Sequence, residues 1–201
     1  MLTSERFRQP TYQVRRKVFK IFGGSFDVYG PDGDLVLFAS QRAFKLKEDI
    51  RLYADKQKTE ELLLIKARNI IDFSAAYDVD DPTTGRKLGA FKRRGWSSLF
   101  RDSWILMGEN DAEIGFIKED SAAMAMLRRF ITLIPQKYHC EVNGVSVCTY
   151  RQNFNPFVYK LTIDFAETAF APDKRLTIAG AVLLAAIEGK QGGGGGFDLG
   201  I

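Results

Sequence analysis

Cysteine and histidine are nearly missing from this chain: Cys140 and Cys148 are its two thiols and His139 its one imidazole, among 201 residues. That scarcity excludes a disulfide-built secreted scaffold. A His and a Cys supply two ligands where structural zinc wants four. No apolar run precedes the basic residues between Met1 and Lys20, so a signal peptide is not expected and the cytoplasm is the default compartment. The dinucleotide fingerprint, the Walker sequence, the serine elbow and the zinc-protease helix are all missing too. No recognisable enzyme active site, cofactor or metal is therefore expected.

What is present is apolar and aromatic. Hydrophobic residues make up 45% of the chain, enough for a full core, and sixteen phenylalanines favour strands and thick interiors. The net charge of +4 is mild; it permits an anionic partner without requiring one.

After a polar start over residues 1–11, expected to be loose, short alternating segments follow one another with turn signals between them. Strands are predicted at Tyr12–Phe22, Phe26–Tyr29, Leu35–Ala39, Phe44–Leu46, Ile50–Tyr53, Leu62–Arg68, Phe73–Val79, Lys87–Arg93, Ser103–Met107, Glu113–Lys118, Tyr138–Val142, Val145–Tyr150 and Phe157–Phe165. Gly30-Pro31-Asp32-Gly33 and Asp81-Pro82-Thr83-Thr84-Gly85 are turn sequences. Asn143-Gly144 is the clearest hairpin signal. Many short strands at close spacing point to a sandwich or a barrel.

Two helices interrupt this pattern. Ser121–Phe130 is rich in helix formers. The other runs from about Lys174 to Glu188, with Asp173 as N-cap and Gly189 as the stop. From Leu176 to Ile187 it is apolar or small on every face, so it must be buried on every face. Twelve residues rise about 18 Å, short of the roughly 30 Å of a bilayer core, so a transmembrane span is not expected. A closed antiparallel barrel with this helix along its axis buries it and removes the exposed sheet edges. Burying its larger side chains is worth about 10–15 kcal/mol, comparable with the whole net stability of a domain. The chain thus divides into a loose segment 1–11, one barrel domain 12–190, and a flexible tail 191–201 carrying Gly192–Gly196.

Several stretches, in this order, carry a resemblance. They are Tyr12–Lys17, Gly85–Gly89 continuing through Phe91–Trp96, Asp102-Ser103-Trp104, Glu113-Ile114-Gly115 and the helix from Asp173 to Glu188. In them the chain resembles the tubby-like superfamily, within it the LURP-one-related and phospholipid-scramblase-like proteins. The resemblance implies a twelve-stranded barrel around a central C-terminal helix, and recognition of anionic phospholipid headgroups through a basic surface. The chain departs from the scramblase pattern in lacking a proline-rich N-terminus and a cysteine cluster. Between Asp164 and Asp173 only Asp164, Glu167 and Asp173 offer carboxylates, and Lys174-Arg175 follow, so calcium binding is not expected.

The strongest charge feature is Arg86 to Arg101, with Arg86, Lys87, Lys92, Arg93, Arg94 and Arg101, no acid, and Trp96 and Phe100 among them. Basic side chains beside aromatics suit phosphate headgroups or single-stranded nucleic acid. A second acid-free cluster holds Arg6, Arg8, Arg15, Arg16, Lys17 and Lys20. Alternation puts Arg15 and Lys17 on one side of their strand and Arg16 on the other. Should the clusters meet on one barrel face they make an anion-binding patch; otherwise they are a solvated outer face. A two-residue hairpin at Asn143-Gly144 pairs His139 with Cys148 and sends Cys140 and Cys148 to opposite faces, so no disulfide is expected and a Cys–His nucleophile is a weak candidate. Asp78, Asp80 and Asp81 lack the calcium-loop spacing and read as turn initiators. The expected function is a non-enzymatic binding domain for anionic phospholipid headgroups, peripheral at a membrane. The alternative is a nucleic-acid or protein adaptor using the same basic surface.

Overall fold

In the computed structural model of the protein, residues 3–17, 24–41, 49–68, 76–93, 103–120, 135–153, 158–168 and 173–188 are described. The predicted strand at Phe44–Leu46, the predicted helix at Ser121–Phe130 and the glycine tail lie outside them. A short helix α1 (Thr3–Arg6) leads into β1 (Thr11–Lys17), β2 (Gly24–Tyr29), β3 (Leu35–Gln41), β4 (Ile50–Tyr53), β5 (Glu61–Ala67) and β6 (Ala76–Asp81). There follow β7 (Arg86–Arg93), β8 (Ser103–Met107), β9 (Glu113–Glu119), β10 (Lys137–Val142), β11 (Val145–Asn153), β12 (Val158–Phe165) and helix α2 (Lys174–Glu188). Each strand pairs antiparallel with its neighbours in sequence, and β12 returns to pair with β1, closing a twelve-stranded barrel.

Every residue of α2 from Leu176 to Ile187 is buried. The helix touches β12 and β1 on one side and β7 and β5 on the other, which places it between opposite walls. Glycine makes this fit. A Cβ on Gly180 would stand 3.0 Å from Phe91 Cζ and 3.1 Å from Ile117 Cδ1, and one on Gly89 would stand 2.8 Å from Leu176 Cδ2. The start of α2 is capped as expected: the Arg175 amide donates to Asp173 Oδ1 at 2.9 Å. Arg175 then reaches Asp81 at 2.6 Å, a carboxylate buried at the end of β6. Asp81 also accepts from the amide and hydroxyl of Thr83, holding the β6–β7 turn. Burial alone would raise the Asp81 carboxyl; the bonds from Thr83, Thr84 and Arg175 outweigh it and hold it at about 2.

Residues 3–11, expected to be loose, are tied down. Arg6 donates to the carbonyls of Val36 at 2.7 Å and Ala54 at 2.9 Å, Phe7 packs on the core, and the buried Tyr12 hydroxyl donates to the Arg6 carbonyl. Lys174 donates to the Gln9 carbonyl at 2.9 Å, so the segment seals the end of the barrel where α2 begins.

The β10–β11 hairpin corrects a second expectation. Asn143 and Gly144 do form a tight turn, with φ of 49° and 79°. A bulge between Cys140 and Glu141, however, shifts the register, so Cys140 faces Cys148 and His139 faces Thr149. Both cysteines point into the core and are fully buried. Their mutual hydrogen bond and burial push the Cys140 thiol well above its ordinary value.

Candidate anion-binding surface

The up-and-down path gives the barrel two unlike ends. At one, the hairpin end, sit the turns 30–34, 54–60, 82–85, 108–112 and 143–144. At the other, the odd-numbered strands finish and the even-numbered ones begin. The hairpin end is acidic on balance: its turns carry Asp32, Asp34, Asp55, Glu60, Glu109 and Asp111 against Lys56 and Lys58.

The predicted site residues are divided between these ends and between opposite walls. Arg86 and Lys87 open β7 at the hairpin end, and both are already occupied. Arg86 meets Glu109 at 2.9 Å; Lys87 meets Asp78 at 2.9 Å and Asp111 at 2.5 Å. Arg68 joins the same network through Asp78 and Asp111. These cations hold the Asp111 carboxyl below the usual range. Lys92 and Arg93 finish β7, where alternation turns Lys92 outward and Arg93 inward beside Tyr77. Arg94, Trp96 and Arg101 follow in the chain and lie outside the described residues.

Arg15 and Lys17 stand on β1, six strands from β7 in either direction around the ring. The described strand residues of the two basic clusters, on β1 and β7, therefore stand on opposite walls. Lys17 closes the strand, opposite Val158 in register. Arg15 lies across from Lys160 of β12. Directly opposed residues have Cβ atoms about 5 Å apart, and like charges there repel. Arg15 makes no ion pair among the described residues; the nearest acid in register, Asp27, is taken by Lys56 at 2.9 Å. Arg15 is nevertheless held in place. Its guanidinium carbon lies 4.4 Å from the Tyr29 ring centroid and its Nε donates to Gln13. Among the described residues its two terminal nitrogens have no hydrogen-bond partner and form a fork of donors, the geometry suited to phosphate.

On the inner face of the same strand, Arg16 is half-buried over the Phe26 ring at 5.6 Å. Its Nη1 is buried without a hydrogen-bond partner. Burial lowers the Arg16 pKa, against the opposing effect of Tyr159.

The strand cations with no ion pair among the described residues include Arg15, Arg16, Lys66, Lys92, Lys118 and Lys160, although Lys66 still acts on the Asp80 carboxylate through space. All six lie within two residues of a strand terminus at the end opposite the hairpins. Lys66, Lys118 and Lys160 were not among the sequence candidates, because each is a lone lysine in an otherwise ordinary strand. Their common phase, near the finish of an odd strand or the start of an even one, was the available signal.

The remaining candidates resolve into structure. His139 faces outward, its Nδ1 2.7 Å from Asp120 Oδ1 and its ring edge-on to Phe116, while Cys148 faces the core. The two lie on opposite sides of the sheet and cannot act as a nucleophile pair. Asp78 and Asp80 point outward and Asp81 inward, so they do not converge on an ion. Among the described residues no group of three or more His, Cys, Asp or Glu is placed to hold a metal, and no helix is long and apolar enough to cross a membrane. No family model, curated protein or solved structure matches the chain.

Proposed function

We propose that the chain is a non-enzymatic binding domain that recognises anionic phospholipid headgroups, using cations at the end of the barrel opposite the hairpins. One observation carries this reading. Arg15 and Lys160 are opposed in register, share no carboxylate, and Arg15 is pre-oriented by Tyr29 and Gln13 with its terminal donors unused. A phosphate seated between them replaces a repulsion with two charge-assisted bonds, and most of the ordering of Arg15 is already done. The predicted cluster at Arg86 and Lys87 is a weaker candidate, since an incoming anion there has to displace Glu109, Asp78 and Asp111.

Co-sedimentation with vesicles of phosphatidylcholine, with and without phosphatidylserine, tests this. The protein is expected to pellet with the anionic vesicles only. Replacing Arg15 and Lys160 together by Ala should weaken binding about thirtyfold, taking about 1 kcal/mol per cation near the surface. A protein that ignores these vesicles yet binds oligonucleotides with a steep salt slope is instead a nucleic-acid adaptor.

A further inference from the structure

The unpaired cations do more than mark one seam. They sit near the ends of β1, β5, β7, β9 and β12, which are spread around the closed ring rather than along one wall. Twelve strands about 4.8 Å apart enclose a barrel roughly 20 Å across. Screening in physiological salt acts over about 8 Å. A barrel lying on its side against a charged surface would therefore bring Arg15 and Lys160 into play and leave Lys66 and Lys92 on the far wall, screened. Set on its end, it turns all of these strand ends toward the surface at once. At the opposite end the turns carry more carboxylates than cations, Lys56 and Lys58 included, and a negative surface repels that balance.

We infer that the protein meets an anionic lipid surface end-on, with the ring of unpaired cations against the headgroups and the acidic hairpins pointing away. This rests on the lipid-binding reading and adds the pose. In that pose, cations on opposite walls contribute alike, and α2 stands across the surface plane with its C-terminal end toward the lipid.

The test compares two charge reversals in the full chain, Lys160→Glu on the β1–β12 seam and Lys92→Glu on the opposite wall. The probe is phosphatidylcholine vesicles containing phosphatidylserine, read by co-sedimentation. Each reversal is expected to weaken binding at least about fivefold, and the two together by about the product. If Lys160→Glu weakens binding and Lys92→Glu leaves it unchanged, the protein lies on its side; the pose is overturned and the lipid reading stands. If the unmodified protein fails to pellet with these vesicles, the lipid reading and the pose both fall. A second readout follows local environment rather than affinity. An environment-sensitive fluorophore on Asn153→Cys, at the basic end, should shift its emission on vesicle addition, and one on Asp32→Cys should not. Equal shifts at both positions, or a shift confined to residue 32, would overturn the end-on pose.

Discussion

Two stretches of this molecule carry the same signal in sequence and end in different physical states. Arg86-Lys87 and Arg15-Arg16-Lys17 are both basic runs on strands. At the start of β7, the acidic turn 108–112 and the neighbouring β6 supply Glu109, Asp111 and Asp78, and both cations are neutralised. At the end of β1, the neighbour across the closing seam is Lys160, and Arg15 makes no ion pair among the described residues. A run of like charges in sequence says how much charge a strand brings; the strands beside it decide whether that charge is available to a partner.

The largest test of this contrast is at the hairpin end, where charge is committed to structure. Asp81→Ala removes the buried partner of Arg175 and the anchor of the β6–β7 turn. It should cost about 3 kcal/mol, lowering the melting temperature by several degrees, without changing vesicle affinity of the folded protein. Thermal unfolding followed by circular dichroism reads it. The same residue sets an acid limit. Its folded pKa of about 2 lies below the unfolded value near 3.9, so its contribution is present above that value and is lost as pH falls toward 2. Asp81→Asn should flatten this part of the stability profile in acid-unfolding experiments.

Smaller effects separate the two basic runs directly. Arg86→Ala with Lys87→Ala should change vesicle affinity less than twofold, whereas Arg15→Ala with Lys160→Ala gives the large loss described above; equal losses would erase the contrast. Asp111→Asn releases Arg68 and Lys87 from a shared carboxylate at the end held away from the lipid, so vesicle affinity should again change less than twofold. The smallest expected change is at Arg16. Replacing this half-buried, unpaired cation by Met removes a desolvated charge, so stability should hold or rise by up to about 1 kcal/mol in denaturant titration.

The helix was legible in sequence because Leu176–Ile187 has no polar face, a pattern that admits only complete enclosure. Most strands were legible because alternation and turn residues agree, as at Ser103–Met107, where the predicted and observed limits coincide. The hairpin register was not, because the Cys140/Glu141 bulge depends on how β10 and β11 fit their outer neighbours β9 and β12. Nor was the candidate site. Lys160 meets Arg15 through the closing pair of strands, far apart in sequence, and no local pattern in either strand encodes that meeting. The loose start expected over residues 1–11 failed at the described residues 3–11 for a related reason: their anchors, Val36, Ala54 and Lys174, lie elsewhere in the chain.

The ring has a consequence for the order of assembly. Its closing bond joins Thr11 to Asp164, 153 positions later, and the plug is encoded after the last strand. No partial chain can shut the barrel. A nascent chain holding every strand but not α2 would have to close around an empty axis, so α2 and the sheet must condense together, late and in one cooperative step. Pairing of that range is entropically slow, and folding in milliseconds to seconds is the expected scale. The two termini of the domain thus serve as its latch.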